Sequence, residues 1–392
     1  MEVKQIYLLI NSVSGEVLGK TGIVKDDLTG VVDLGNEIFN QKAVDNYVKS
    51  LVNHIGKVVF VNRPYSGKVP SVLMDAWEFG SVLEKISADV PRAEENDTWD
   101  LKDGTEYKQD VFHKPTVSAK FFNSKVTFEV PVSITERQVK ESFSSAAQLN
   151  GFLSMIYSAV EKSMTIKTDA LVMRTINNMI AETLNADKTA FVSSTNETVD
   201  YSSASTVRCV NLLKLYNDKT GADLTAAAAI TTPDFIRFAA YIMGLYSDRL
   251  QTISTLFNVG GKERFTPKDV LHTVLLSDFA AAAKTYLYAD TFHEDNVLLP
   301  KAETVASWQA TGNDYAFEHV SKIDVKSASG ADVTVSGVLG VMFDRDALGV
   351  TNLDRRVTTN YNAKAEFFNN YYKFDAGYFN DTNENFVVFF IA

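Results

Sequence analysis

The sequence predicts an α+β chain of several lobes, on three observations. Helical periodicity is strongest over 145–184, helix and strand patterns alternate across 206–345, and residues 361–391 alternate apolar and polar with period two. A length of 392 residues, at roughly 100–200 per domain, suggests two or three lobes. With 45% hydrophobic and 22% charged residues the composition is that of a globular protein with a large core.

Glycines at 15, 19, 22, 30 and 35 break up the start, predicting an irregular arm. Ala43, Val44, Tyr47, Val48, Leu51, Val52 and Ile55 then recur at helical spacing, and Val58–Val61 reads as a short strand. Residues 64–131 hold five of the eight prolines. Between Asp75 and Lys114 eleven acids face five bases, a local charge of −6. A solvated acidic loop is the plain reading. Against it stand Trp77, Phe79, Trp99, Tyr107 and Phe112, too many large aromatics for a tail that touches nothing. With a strand at Val126–Val130, the segment predicts a long hairpin whose apolar face needs a partner.

Ser145 with Gln148 forms a capping box, and no Gly or Pro occurs between Phe152 and Thr220. The pattern predicts a helix over 145–184, about 60 Å long at 1.5 Å per residue, with Thr165–Thr168 able to bend or break it. Residues 185–205 read as a loop. Beyond it come a helix from Val207 to Asn217, an Ala-rich strand at 226–231, and a helix opened by Thr232-Pro233-Asp234. A strand at 272–276, a helix at 278–288 and strands near 321–325, 333–336 and 338–343 complete a mixed lobe. The apolar phase flips after Phe367, predicting a bulge near 368–371. The last strand, Phe386–Ile391, is greasy enough to aggregate unless paired and covered.

Chemistry is sparse. Gly15 to Lys20 has three residues between its glycines where a phosphate loop needs four, and Gly260-Gly261-Lys262 is weaker still. The five histidines lie far apart. His293-Glu294-Asp295 is the one local group of metal-ligand types, and a solvated loop is the plainer reading. No Gly-x-Ser-x-Gly elbow occurs, and Cys209, in the predicted helix, reads as a small buried thiol. The sequence therefore offers no catalytic, cofactor-binding or metal-binding residues, and no cofactor is expected. A net charge of −11 disfavours tight binding to nucleic acid or anionic lipid. One cysteine fits a reducing compartment, and neither a signal peptide nor a membrane span is apparent.

The order of parts carries a resemblance. The run from Val126 to Leu153 leads from a strand through Ile134-Thr-Glu-Arg-Gln-Val-Lys-Glu-Ser-Phe143 into a serine-capped long helix. With Trp77-Glu-Phe-Gly80, Leu83-Glu-Lys-Ile86, Pro91, Trp99 and Val338–Ala347, it resembles major capsid proteins of tailed phages. The likeness is to those of short-tailed phages of Gram-positive hosts and related gut phages. The resemblance implies the Hong Kong 97-type fold: an N-terminal arm at 1–63, an extended E-loop at 64–131, and a P-domain with spine helix at 132–205. An A-domain at 206–349 and a P-domain β-sheet at 350–392 follow.

It further implies a shell of pentamers and hexamers around double-stranded DNA, assembled in the bacterial cytoplasm and ending in the virion. The expected partners are other copies of the chain, a separate scaffolding protein, a portal protein, DNA held by weak non-specific contact, and optionally a decoration protein. No membrane is involved. Candidate contacts between subunits are Trp77, Phe79, Glu94, Glu95, Asp97 and Trp99 in the acidic hairpin. Arg137, Lys140, Arg355 and Arg356 are the basic counterparts; such rim pairs, at about 0–1 kcal/mol each, would set register more than strength. An encapsulin-like compartment on the same fold, or a two-domain enzyme built on 206–345, is the alternative.

Overall fold

A computed structural model of the chain describes residues 3–20, 25, 33–34, 67, 69–74, 82–107, 110, 112–135, 146–192, 199–288, 302–309, 315–328 and 330–392. The expected helix at 43–55, the strand at 58–61 and the His293 group lie outside these residues, as does Ser145 of the capping box.

The chain opens with helix α1 (Val3–Leu18), not the irregular arm expected from its glycines. One glycine costs a helix only about 1 kcal/mol, and buried Val13 outweighs it. Ser14 turns its hydroxyl back onto the Ile10 carbonyl at 2.7 Å. This helix occupies the place of the strand that a phosphate loop would need.

Strands β1 (Leu73–Met74), β2 (Leu83–Ala88), β3 (Val117–Phe122) and β4 (Lys125–Thr135) follow. Helix α2 (Ala146–Ala186) is one unbroken helix through Thr165–Thr168. There Thr165 bonds the Glu161 carbonyl, and Val160 and Met164 are buried. Packing overrides the weak propensity.

Cys209–Asn211 is strand β5, and helix α3 (Leu212–Thr220) begins only after it. Asn211 is the cap, accepting from the Lys214 N–H, and Gly221 closes the helix in the left-handed region. The expected helix start at Val207 was thus too early. The expected Ala-rich strand is the short helix α4 (Ala226–Ala229), since alanine favours helix when nothing pairs with it. Helix α5 (Pro233–Arg249) starts with proline and aspartate as predicted. The Thr232 hydroxyl, however, bonds the Ala228 carbonyl behind it rather than capping forward.

Next come β6 (Leu271–Leu276), α6 (Ser277–Tyr288), β7 (Glu303–Val305), α7 (Phe317–Val320), β8 (Ile323–Lys326), β9 (Asp332–Val335) and β10 (Val338–Asp344). Strands β11 (Leu348–Asn362), β12 (Phe367–Asn380) and β13 (Phe386–Phe390) end the chain. A hairpin turn at 363–366 joins β11 to β12, ahead of the place where the apolar phase flips. Asn362 accepts from the N–H groups of Lys364 and Ala365, and Glu366 takes φ 52° before β12 begins.

The chain divides into two compact units: 1–66, 129–165 and 356–373 in one, and 67–128, 166–355 and 374–392 in the other. Helix α2 and strands β4, β11 and β12 contribute residues to both. A four-stranded sheet runs β1-β11-β12-β4, with Pro131 tolerated because β4 is its edge. A five-stranded sheet runs β5-β13-β10-β6-β7. In it β13 lies parallel to β5 and antiparallel to β10.

Both faces of this second sheet are covered, which is why Phe386–Phe390 is apolar without alternation. Val387, Phe389 and Ile391 pack with Leu213, Phe235, Met243, Leu275 and Phe279 in one core. On the other side Phe390 meets Phe191 and Tyr201 edge-on, and Phe386 stacks on Phe343. The last strand is thus paired and buried as its composition requires.

Candidate functional site

The β2–β3 hairpin has two unlike faces, and its register says why. Leu83 pairs with Phe122, Lys85 with Lys120 and Ser87 with Ser118, so these six point one way. Phe122 packs on Phe379 at 5.2 Å between centroids, and the two serine hydroxyls bond at 3.1 Å. The opposite face carries Glu84, Ile86, Ala88, Val117, Ala119 and Phe121. Ile86 is 68% exposed, Phe121 63% and Val117 59%. Ile86, Val117 and Phe121 thus form an apolar ribbon that stands in water in the isolated chain.

Beyond the strands the tip continues the pattern. The Asn96 side chain accepts from the Thr98 N–H at 2.9 Å and starts a tight turn at Asp97–Trp99. The Tyr107 hydroxyl accepts from the Lys102 N–H at 3.0 Å. These bonds hold a fold that leaves Trp99 99% and Phe112 86% exposed, with Glu94 and Glu95 also in solvent.

Of the residues picked from the sequence, Glu94, Glu95, Asp97 and Trp99 fall on this tip. Arg355 and Arg356 lie on the exposed part of β11, where the Arg355 guanidinium sits 5.4 Å from the Phe374 ring centre. Trp77, Phe79, Arg137 and Lys140 lie outside the described residues. The sequence reading missed the hairpin's own ionic root. Lys85 and Lys120 both reach Asp381, at 2.7 and 3.0 Å, and Lys85 also meets Glu384 at 3.1 Å. Pairing the two strands by their alternation would have set the lysines side by side. Nothing local could have pointed to Asp381.

Other chemistry is structural. Cys209 lies in β5 rather than in a helix, fully buried. Burial, then the charge of Asp187, pushes its thiol well above its ordinary value. Asp187 pairs with Arg208 and accepts from the Thr206 hydroxyl at 2.5 Å. His272 stacks on Phe343 and burial pulls its pKa down, with Glu303 opposing. Among the described residues no group of three metal-ligating side chains occurs, and no helix is long and apolar enough to cross a membrane.

Residues 9–390 match the family model for the Phi29-like phage major capsid protein. Among solved structures, the capsid of Staphylococcus phage Andhra is similar with a TM-score of 0.52 at 8% identity, over 86% of this chain and 88% of that one. The capsid of the cyanophage P-SCSP1u is similar at 12% identity over 87% and 94%, with a TM-score of 0.46. A comparison with curated proteins found no match. Fold and family together define a capsid-forming structural protein of the Hong Kong 97 type, a virion component and not an enzyme. The chain belongs to the Phi29-like phage major capsid protein family.

Proposed function

We propose that this subunit closes into pentamers and hexamers of a phage head around double-stranded DNA, with the β2–β3 hairpin laid over a neighbouring copy. The exposed row Ile86, Val117 and Phe121 carries the reading. At about 25 cal/mol per Å², covering such side chains at every contact supplies the strength of a shell. The acidic tip with Glu94, Glu95 and Asp97 then meets basic residues of the neighbour, Arg137, Lys140, Arg355 and Arg356 being the proposed counterparts. Trp77, Phe79 and Trp99 join the covered surface.

In this reading 1–63 is the arm, 64–131 the overlapping loop, and 132–205 the spine. Residues 206–349 form the axial lobe and 350–392 the closing strands, the last of which runs in the five-stranded sheet. A separate scaffolding protein guides assembly in the host cytoplasm, a portal occupies one vertex, and a decoration protein can be added outside. The net charge of −11 suits a container that holds DNA weakly.

The test is co-expression with the scaffold, imaged by negative-stain electron microscopy. Wild type gives closed shells. The double variant Ile86→Ser/Phe121→Ser keeps its unfolding midpoint and gives none. Shells from the variant, or persistent wild-type monomers, would overturn the reading.

A further inference from the structure

We propose that the hairpin is positioned by an ionic clasp within its own subunit, in which Lys85 and Lys120 share the buried carboxylate of Asp381. Its relevance to shell contacts rests on the function proposed above, whereas the clasp itself does not. Lys85 and Lys120 stand directly opposite each other on one face of the hairpin. Like charges so placed push paired strands apart unless an anion lies between them. Asp381 is that anion: one oxygen takes Lys85 at 2.7 Å, the other Lys120 at 3.0 Å, and its side chain is 3% exposed.

The anchor is stiff. The Asp381 N–H donates to the Ala347 carbonyl at 2.7 Å, and the Asn383 N–H donates back to the Asp381 carboxylate at 3.1 Å. Lys85 also donates to the Asp346 carbonyl at 2.9 Å and to Glu384, which Arg264 holds from the other side at 3.2 Å. Three cations thus surround two carboxylates: losing Asp381 strands Lys120, whereas losing Glu384 leaves Lys85 on Asp381. Asp89, just past β2 on the loop side of the hairpin, meets Lys262 at 3.1 Å in a more exposed pair.

Because the hairpin's outer face is apolar and uncovered, these polar tethers, with Phe122 on Phe379, decide how that face is presented. Burial alone raises the Asp381 carboxyl, but the bonds and charge of Lys85, followed by Lys120, carry it below its ordinary 3.8. Glu384, Asp344, Asp346 and Asp89 are the other acids around the clasp, and Arg264 and Lys262 the other bases. Asp381 therefore keeps its charge across neutral pH, and acid releases it only below its ordinary value.

Hydrogen exchange of the full-length, unassembled chain in dilute solution tests this. In Asp381→Asn, amides of 83–88 and 117–122 are expected to exchange at least about tenfold faster than in wild type, while those of 386–390 stay protected. Adding Lys85→Met and Lys120→Met to Asp381→Asn removes the stranded charges and restores protection. Should Asp381→Asn not fold, Lys120→Met alone, which leaves Lys85 on Asp381, gives a smaller acceleration in the same amides. Unchanged exchange in these variants overturns the clasp even if shells form. Absence of wild-type shells overturns the shell reading and leaves the clasp standing.

Discussion

Asn211 shows how much one buried side chain can hold. Its oxygen caps α3 through the Lys214 N–H, and its amide donates to the carbonyls of Tyr201 and Ala392 at 3.0 and 3.2 Å. Asn211→Ala removes a cap worth about 1 kcal/mol and strands two carbonyls. A loss of about 2–4 kcal/mol in urea unfolding is expected. Close by, burial and then the charge of Cys209 push Tyr201 up to about 12. Cys209 and Tyr201 both keep their protons in the folded state past the point where the unfolded chain, with ordinary values of 9.0 and 10.0, gives them up. Their contribution is complete below pH 9 and drains away as pH rises toward 12. Urea titrations across that range should show falling stability, and Cys209→Ala should flatten the first part of the fall. A stability that rises or stays level would contradict the burial of both groups.

Strands and helices differ sharply in what they tolerate. Phe389 in β13 is fully buried with Tyr246 edge-on at 5.3 Å, so Phe389→Ala is expected to cost about 3–5 kcal/mol in denaturant unfolding. Ile86→Ser on the hairpin's outer face should stay within about 0.5 kcal/mol in the same assay. Gly337 sits at φ 79° with the Ile391 carbonyl where a side chain would go, so Gly337→Ala should destabilise the β9–β10 turn by about 1–3 kcal/mol. Helix α2, strand β6 and the β10 and β13 strands were legible because long periodicity or an unbroken apolar run leaves one option. Helix α4 and strand β5 were not, since four alanines and the segment Arg-Cys-Val carry no period of their own. Their state is decided by partners, β13 in the case of β5. The hairpin was legible as an acidic, aromatic-rich element, but its clasp depends on Asp381, beyond any local pattern.

The whole subunit carries a net charge of −11, so copies repel at long range while their uncovered apolar ribbons attract at contact. If burial carries the association, shells formed in dilute buffer should remain closed at about 0.5 M salt, where the screening length is below 5 Å. Light scattering would show it, and dissolution on adding salt would mean that ion pairs carry the shell instead. The five-stranded sheet has a further consequence, for the making of the protein. Its strand β13, second in the order, must find the edge strand β5 across nearly the whole length of the mixed lobe, and topologies closed by such distant pairings fold slowly. During synthesis β10 waits as a sticky ribbon until its late partner leaves the ribosome. Yield of soluble subunit should therefore follow the cell's chaperone supply and rise at lower growth temperature.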